Sequence, residues 1–600
     1  MSNIFVNSFV NGVISPFARR FVTSSIYNNS ASVMENVLPL NTGGFRLRNG
    51  MEKVSVKEDA KRILPLFLGD NGSYLVILET RKLTLMDLND PLYEWSSATI
   101  YTEETISKLN YTQDYEKMIL VCEDCVPYIL KKELTGFTFK PIELDKRCNY
   151  KNEEGEAIEF DYKGLFTTEG NYPSIAAFCS NRLWFASSKS SPYKLWASRP
   201  FEYANFQDID FYEEIDETGT AEEYLDAIVE KVTTTYWLSY YDGELSNQVT
   251  DNPSINNSNY KLEQSDSKDP TTGYITTLKK IFKKTKLGEH EQTEHATHYW
   301  KFLETKQSMT ESETKIKYKY NSTITASCAM VFEVGSDTLD TIKWISVSDN
   351  IYIGTATSEY YIPKEITPLS PFIAKVSSNG SNGKIAQGKN LVFYVQDKNI
   401  RALNYNQNQG ISDSSINALC QHLFQSGIKE LQWQRIDTPY LYALLNNGEM
   451  AVFCLEEGIN SWTSLKTNGE IKSIAVIEKD VFFIVKRESG TFIEKFTEGV
   501  YVDNGNYKIN AKVVSNFVDD ANTIAMKKSV SEFFVDSYGT PFKIGTKGAT
   551  LEQKKEYNKN SELAKVTAFT KVSDSFSWEI ENIEFENFII LALVLKMEVS

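Results

Sequence analysis

Short apolar runs separated by tight polar turns recur along the whole chain. Ile63-Leu64-Pro65-Leu66-Phe67 leads through Asp70-Asn71-Gly72 to the run Tyr74-Leu75-Val76-Ile77-Leu78, and Leu83 and Leu85 flank Thr84 as a third strand after Arg81-Lys82. The scheme returns at Met118 to Val121 before the turn Glu123-Asp124, and at Ile175 to Phe178 before Asn181 and Leu183-Trp184-Phe185-Ala186. It returns again at Ile342 to Val347, Leu391 to Val395, Leu441 to Leu445 with Asn446-Asn447-Gly448, and Val481 to Val485. These runs are too short for core helices. They are rich in β-branched and aromatic residues and bounded by Asn, Asp and Gly, which predicts antiparallel hairpins. The later copies lie about 50 residues apart, within the range of propeller blades. A blade of three or four strands covers neither of its faces alone, whereas blades stacked round an axis cover one another. The expected fold is therefore mainly β, an interrupted β-propeller of about six to seven blades.

Two helices are expected. One follows the capping residues Ser412 to Ser415, with Ile416, Leu419, Cys420, Leu423 and Phe424 on one face. A shorter one starts at Thr102, with Glu103 and Glu104 in its first turn and Ile106 and Leu109 facing inward. The rhythm lapses between Val229 and about Ser327, where Thr, Lys, Asn and Ser dominate. The organisation read from these signals is an N-terminal β-rich platform or assembly segment at 1–60, propeller at 61–228, an inserted and projecting domain at 229–327, propeller again at 328–500 and a C-terminal β-rich platform domain at 501–600.

Composition narrows the function. The 600 residues include 34 Phe, 33 Tyr and 9 Trp, enough for a large core, and 63 Lys and Arg against 80 Asp and Glu set a net charge of −17. That balance argues against a surface that grips nucleic acid throughout. Seven scattered cysteines form no disulfide framework and suit a reducing compartment. The first residues lack the basic segment and apolar stretch of a signal peptide. The longest apolar run, Phe588 to Leu595, is far short of the roughly 20 residues of a membrane helix.

Candidate chemistry is sparse. Cys122-Glu123-Asp124-Cys125 is a single CxxC on a hairpin turn, without the second pair that a structural zinc site needs, and its acidic neighbours should raise a thiol pKa. His290, His295 and His298 cluster with Glu291 and Glu294; on a helix Glu291, Glu294, His295 and His298 would share a face and could approach one metal ion. The acidic pairs Asp519-Asp520 and Glu222-Glu223 invite a glycosidase reading, which needs two carboxylates facing each other. No GxSxG, Walker loop, HExxH or dinucleotide turn is present. No catalytic, cofactor or metal residue is assigned.

One dense block goes further. Asn171-Tyr172-Pro173, Phe178, Asn181-Arg182-Leu183-Trp184-Phe185-Ala186, Ser191-Pro192, Leu195-Trp196-Ala197-Ser198-Arg199-Pro200 and Tyr203-Ala204-Asn205-Phe206 follow one another in order. The block resembles the signature of the tail tubular protein B, or tail nozzle, family of short-tailed bacteriophages. Phe9 to Pro16 with Arg19 is similar to the family's opening, and Asn36 to Pro39 with Gly43-Gly44-Phe45-Arg46-Leu47-Arg48-Asn49-Gly50 to its next element. Tyr101-Thr102 through Asp114, Val126-Pro127-Tyr128, Ile366-Thr367-Pro368, Ser412 to Leu423 with His422, and Gly448 with Trp462 continue the likeness. It covers about residues 5–228 and 330–465, skips the insertion and fades in the last hundred residues. Two departures stand out: Leu47 interrupts the paired arginines, and Asn11-Gly12-Val13 replaces a Gly-Gly-Glu.

The resemblance implies a structural virion protein and no enzyme. It implies a homo-oligomeric ring of six copies below a tail adaptor ring, assembled in the bacterial host cytoplasm without membrane insertion. Tail fibres or spikes would dock on it, the insertion being the candidate tip or docking projection, and the genomic double-stranded DNA would pass through the lumen without specific binding. The family-signature residues would build blades and inter-subunit contacts. The alternatives are a propeller-fold virion glycan hydrolase or lyase, and an intracellular propeller scaffold, although the WD and kelch signatures are missing.

Overall fold

The computed structural model describes the chain except residues 1, 19–23, 91, 149–157, 214–221, 242–243, 246–259, 269–274, 284–289, 294–295, 318–319, 336–339, 389, 407–409, 437, 519–525, 547–554, 558–563, 568–576, 584–585 and 600. It divides into a large unit (1–145, 162–208 and 326–600) and a second unit (146–161 and 209–325).

Most of the large unit is a seven-bladed β-propeller of four-stranded antiparallel blades. Blade 1 runs Ala60–Phe67, Ser73–Glu79, Lys82–Asp87 and Glu94–Ala98, and blade 2 runs Asn110–Gln113, Lys117–Cys122, Cys125–Glu133 and Gly136–Pro141. Blade 3 takes Ile175–Cys179, Arg182–Ala186, Lys194–Ala197 and, after the chain returns from the second unit, Met330–Glu333. Blades 4, 5 and 6 start at Ile342–Val347, Ile385–Gln387 and Ile428–Gln434. Blade 7 contributes Glu470–Ile477, Asp480–Arg487 and Gly490–Thr497, and its fourth strand is Gly50–Val56 from the other end of the chain. That strand closes the ring, so the stretch assigned from sequence to the platform at 50–56 belongs to the propeller.

A separate apolar core lies between each pair of neighbouring blades. Leu64, Val76 and Leu85 of blade 1 pack with Met118 and Leu120 of blade 2. Ile119 and Val121 on the opposite face of the same strand pack with Leu183 and Phe185 of blade 3. Each inner strand is thus buried on both faces, which is why these strands read as near-continuous apolar runs. The blade 4–5 interface shows how tightly the faces fit. Gly354 stands opposite Trp344 in the ladder, and a methyl group added there would lie 2.0 Å from the indole Cε2. Trp344 is fully buried and donates from Nε1 to Ser381 Oγ at 2.7 Å. Gly354→Ala is therefore expected to lower the thermal unfolding midpoint, at a cost of about 1–3 kcal/mol, and Trp344→Phe in the same chain should recover part of the loss.

The rest of the large unit is a two-sheet platform built from both chain ends. One sheet holds Val37–Pro39, Phe45–Leu47, Phe588–Val599, Lys528–Gly539 and Ala564–Thr567, with Ser2–Val6 paired to Phe588–Val599. The other joins Ala31–Glu35, Lys512–Ser515, Trp578–Asn582, Phe542–Thr546 and Lys555–Tyr557 and continues into blade 6 through Glu35 and Ser464. Phe9 sits between them, edge-on to Phe45 at 5.1 Å and to Trp578 at 5.9 Å. The apolar run at 588–595 is accordingly an interior platform strand.

The second unit is also β, despite its polar composition. Glu222–Tyr241 pairs antiparallel with Ala296–Lys317 and parallel with Ile275–Lys283, and Asp210–Glu213 pairs with Tyr320–Thr323. Its longer segment starts at Ile209, earlier than the boundary at 229 read from composition, because Asp210–Glu213 and the strand from Glu222 already pair within it.

The helices split. Thr102 caps Glu103–Lys108 as expected, its hydroxyl accepting from Thr105 N–H at 3.3 Å, and Ile106 is buried beneath. The expected helix after Ser412 is corrected: Gly410–Ser415 is the fourth strand of blade 5, followed by a 3-10 helix at Ala418–Phe424. Ser412 and Ser414 pair with Asn404 and Ala402 in the ladder, so strand pairing overrides their capping preference.

Candidate functional site

The signature segment 171–206 folds as one coherent piece around blade 3. Pro173 is buried just before the first strand, and the Pro192 carbonyl accepts from Ile342 N–H of blade 4 at 2.9 Å. Leu183 and Trp184 are fully buried. Trp184 stacks on Phe332 at 6.1 Å and donates from Nε1 to the Cys179 carbonyl at 3.2 Å. Trp196 and Phe206 both press edge-on against Phe166, at 5.4 and 4.9 Å. The Ser198 hydroxyl accepts from Leu183 N–H, and the Asn205 carbonyl oxygen accepts from Gln207 N–H while its amide donates to Glu202.

Arg182 holds the segment together. Only 3% exposed, it donates to the carbonyls of Ser198 and Cys328 at 2.7 Å and of Ala326 at 2.9 Å. Burial, helped by the charge of Arg199, pushes its guanidinium below the usual range. It pins strand Arg182–Ala186 to the point where the chain re-enters blade 3.

The other signature residues lie in the platform, at the start of the closing strand and around blade 6. A side chain at Gly44 would collide with the Ile590 carbonyl at 2.1 Å, and one at Gly43 with that of Asn7 at 2.2 Å, so both glycines admit close backbone approach within the platform. Gly50 does the same against Val502 at the start of the closing strand. Arg46 contacts Asn49 Oδ1 at 3.4 Å. Trp462 of blade 6 donates to the Ile416 carbonyl at 2.9 Å and meets Phe424 edge-on at 4.9 Å. His422, on the 3-10 helix, is partly buried; burial lowers its pKa, and its buried Nδ1 has no hydrogen-bond partner among the described residues.

Two more arginines matter as much: Arg48, whose partner the motif did not reveal, and Arg487, which no motif marked. Arg48 forms a bidentate pair with Asp503, at 2.9 and 2.7 Å, both side chains about 1% exposed. Arg487 grips Glu494 through Nε and Nη2 at 2.6 Å, both fully buried. Both pairs stand at the closure of blade 7. Nothing in a linear sequence joins residues 48 and 503.

The remaining candidates do not assemble into a reactive centre. Cys122 and Cys125 face each other across the Glu123-Asp124 turn and are buried. The hydrogen bond they share lowers the Cys122 thiol, against the expectation from its acidic neighbours, while the same bond and burial raise Cys125. His290 and Glu291 lie on His290–Thr293, opposite Tyr299 and His298 in a hairpin. The expected helical face of Glu291, Glu294, His295 and His298 is therefore not formed, and Glu294 and His295 lie outside the described residues. Asp519-Asp520 also lies outside them. Among the described residues, no three His, Cys, Asp or Glu are placed to hold a metal ion, and no helix is long and apolar enough to cross a membrane.

The propeller axis carries a cavity of about 1360 Å³ lined from all seven blades, including Arg62, Tyr111, Phe178, Lys343, Lys384 and Lys429. Eight of its lining residues are Lys or Arg and four are Glu, the reverse of the balance in the whole chain.

No family model matches the chain, and no curated protein sequence matches it. Among solved structures it is similar to the WD40 repeats of RRP9, with TM-score 0.35 and 6% identity over 75% of this chain and 99% of that one. It is also similar to the β-propeller domain of Cps50 (Swd1) from Myceliophteria thermophila, with TM-score 0.29 and 8% identity over 74% and 99% of the two chains. The strand order and the seven inter-blade cores make the fold a seven-bladed β-propeller carried on a platform of both chain ends.

Proposed function

We propose that this chain is the tail nozzle subunit of a short-tailed phage, a structural virion protein that continues the DNA channel below the adaptor ring. Six copies form the ring, fibres or spikes dock on it, and it gates release of the genome. The observation that carries this reading is the ordered block from Asn171 to Phe206, which resembles the signature of the tail tubular protein B family. Its residues serve packing and backbone anchoring, as in Arg182 and Trp184, which suits a rigid assembly part. The net charge of −17 also suits a channel wall from which DNA phosphates are repelled, so that the duplex slides.

Light scattering on the purified chain, alone and mixed with the adaptor ring, tests the reading. A hexamer, or a monomer that becomes hexameric on the adaptor, is expected. A chain that stays monomeric with the adaptor present, or that cleaves glycans in a manner abolished by one carboxylate substitution, contradicts it.

A further inference from the structure

The axial cavity concentrates positive charge in an acidic protein, and its cations are unequally matched. At the rim, Lys61 pairs with Glu103 at 3.2 Å and Lys108 with Glu123 at 3.5 Å. Deeper in, Lys384, Lys429 and Arg62 come from blades 5, 6 and 1 and share the carboxylate of Glu430, with Glu470 also attracting Lys429. Glu430 lies 3.9 Å from Arg62 and already accepts from the Ser473 hydroxyl and from Ile474 N–H at 3.0 Å. Among the described residues, no carboxylate forms an ion pair with Lys384 or Lys429. Burial, then repulsion from Arg62, depresses the Lys384 ammonium, and burial does the same to Lys429. An anion entering here would meet cations already stripped of much of their water, where charge attraction is strong.

The free donors also indicate the shape of the anion. The Arg62 fork is partly spent, since Nη1 donates to the carbonyls of Ile106 at 3.2 Å and Leu109 at 2.6 Å. Lys429 Nζ likewise gives one hydrogen bond to the Lys472 carbonyl at 2.6 Å, and what remains is the rest of the two lysine ammoniums, compact point charges that suit dense phosphate charge more than planar carboxylates. Cavities of roughly 300–1000 Å³ hold small ligands, and this one exceeds that range only moderately.

We propose that the axial cavity of the propeller binds a small molecule bearing two or more phosphate groups, held by Lys384, Lys429 and Arg62. The site is independent of the nozzle reading and belongs to a single protomer.

Titration calorimetry of the full chain with inorganic tripolyphosphate tests it. One tripolyphosphate per chain is expected, with affinity falling about tenfold in Lys384→Gln and again in Lys429→Gln, and unchanged in Lys140→Gln, an exposed residue outside the cavity. In the unmodified chain, tripolyphosphate should protect Lys384 and Lys429, but not Lys140, from acetylation, a readout that does not depend on the variants folding. Absence of binding, binding indifferent to both substitutions, or no protection of Lys384 overturns the proposal. Tighter binding of a tetraglutamate peptide than of tripolyphosphate also overturns it, in favour of an acidic peptide.

Discussion

Arg487→Met is expected to destabilise the propeller by about 3–5 kcal/mol, because it leaves the Glu494 carboxylate buried without its partner. Burial already pushes Glu494 above the usual carboxylate range, with the two hydrogen bonds from Arg487 opposing that rise. The double variant Arg487→Met with Glu494→Leu removes both charges, and most of the lost stability should return. Equilibrium urea unfolding of the single and double variants measures this; equal losses in the two would show that the pair is not what matters. The neighbouring pair adds a pH dependence. Burial alone would raise the Asp503 carboxyl, but the charge and hydrogen bonds of Arg48, with a bond from Thr467, hold it below its ordinary value of 3.8. Its stabilising contribution is therefore complete above the unfolded carboxyl's pKa and fades as pH falls through the lower folded one. Asp503→Asn should flatten that part of the acid unfolding curve.

The second large effect is expected at Arg182. Arg182→Met leaves the carbonyls of Ser198, Ala326 and Cys328 without their shared donor in a buried place, at about 1–3 kcal/mol for each one left unsatisfied. Arg182→Lys should recover little, because a single ammonium lacks the planar fork that spans the three acceptors. Besides a lowered melting midpoint, limited proteolysis should cut between 326 and 330 in the variant, just ahead of Met330–Glu333, which keeps its ladder to Lys194–Ala197 and the packing of Phe332 on Trp184. Unchanged protease resistance with an unchanged midpoint would contradict the role assigned to Arg182.

The local grammar of the blades was legible in the amino-acid pattern. Ile175–Cys179 and Arg182–Ala186 are separated by a turn at Ser180-Asn181, both with positive φ, and Asn tolerates that region well. Inner strands buried on both faces supply the apolar runs. What escaped was long-range closure. Gly50–Val56 joins Gly490–Thr497 across most of the chain, and its half-exposed composition does not mark it as the last strand of a ring. Ser412 to Ser415 favour a helix cap locally, yet pairing with Asn399–Asn406 makes them a strand. The axial cavity was equally invisible, because Arg62, Lys384 and Lys429 meet only once the blades circle one axis. The signature residues were visible as an ordered motif, but their roles as clamps and joints needed the contacts.

The nozzle assignment meets its most direct test in electron microscopy of virions whose copy of this chain carries an added epitope and a gold-labelled antibody. Gold at the distal end of the tail, with averaged tails showing six copies below the adaptor, is the result expected. Gold on the capsid or fibres alone, or virions that lack the chain altogether, would contradict the account.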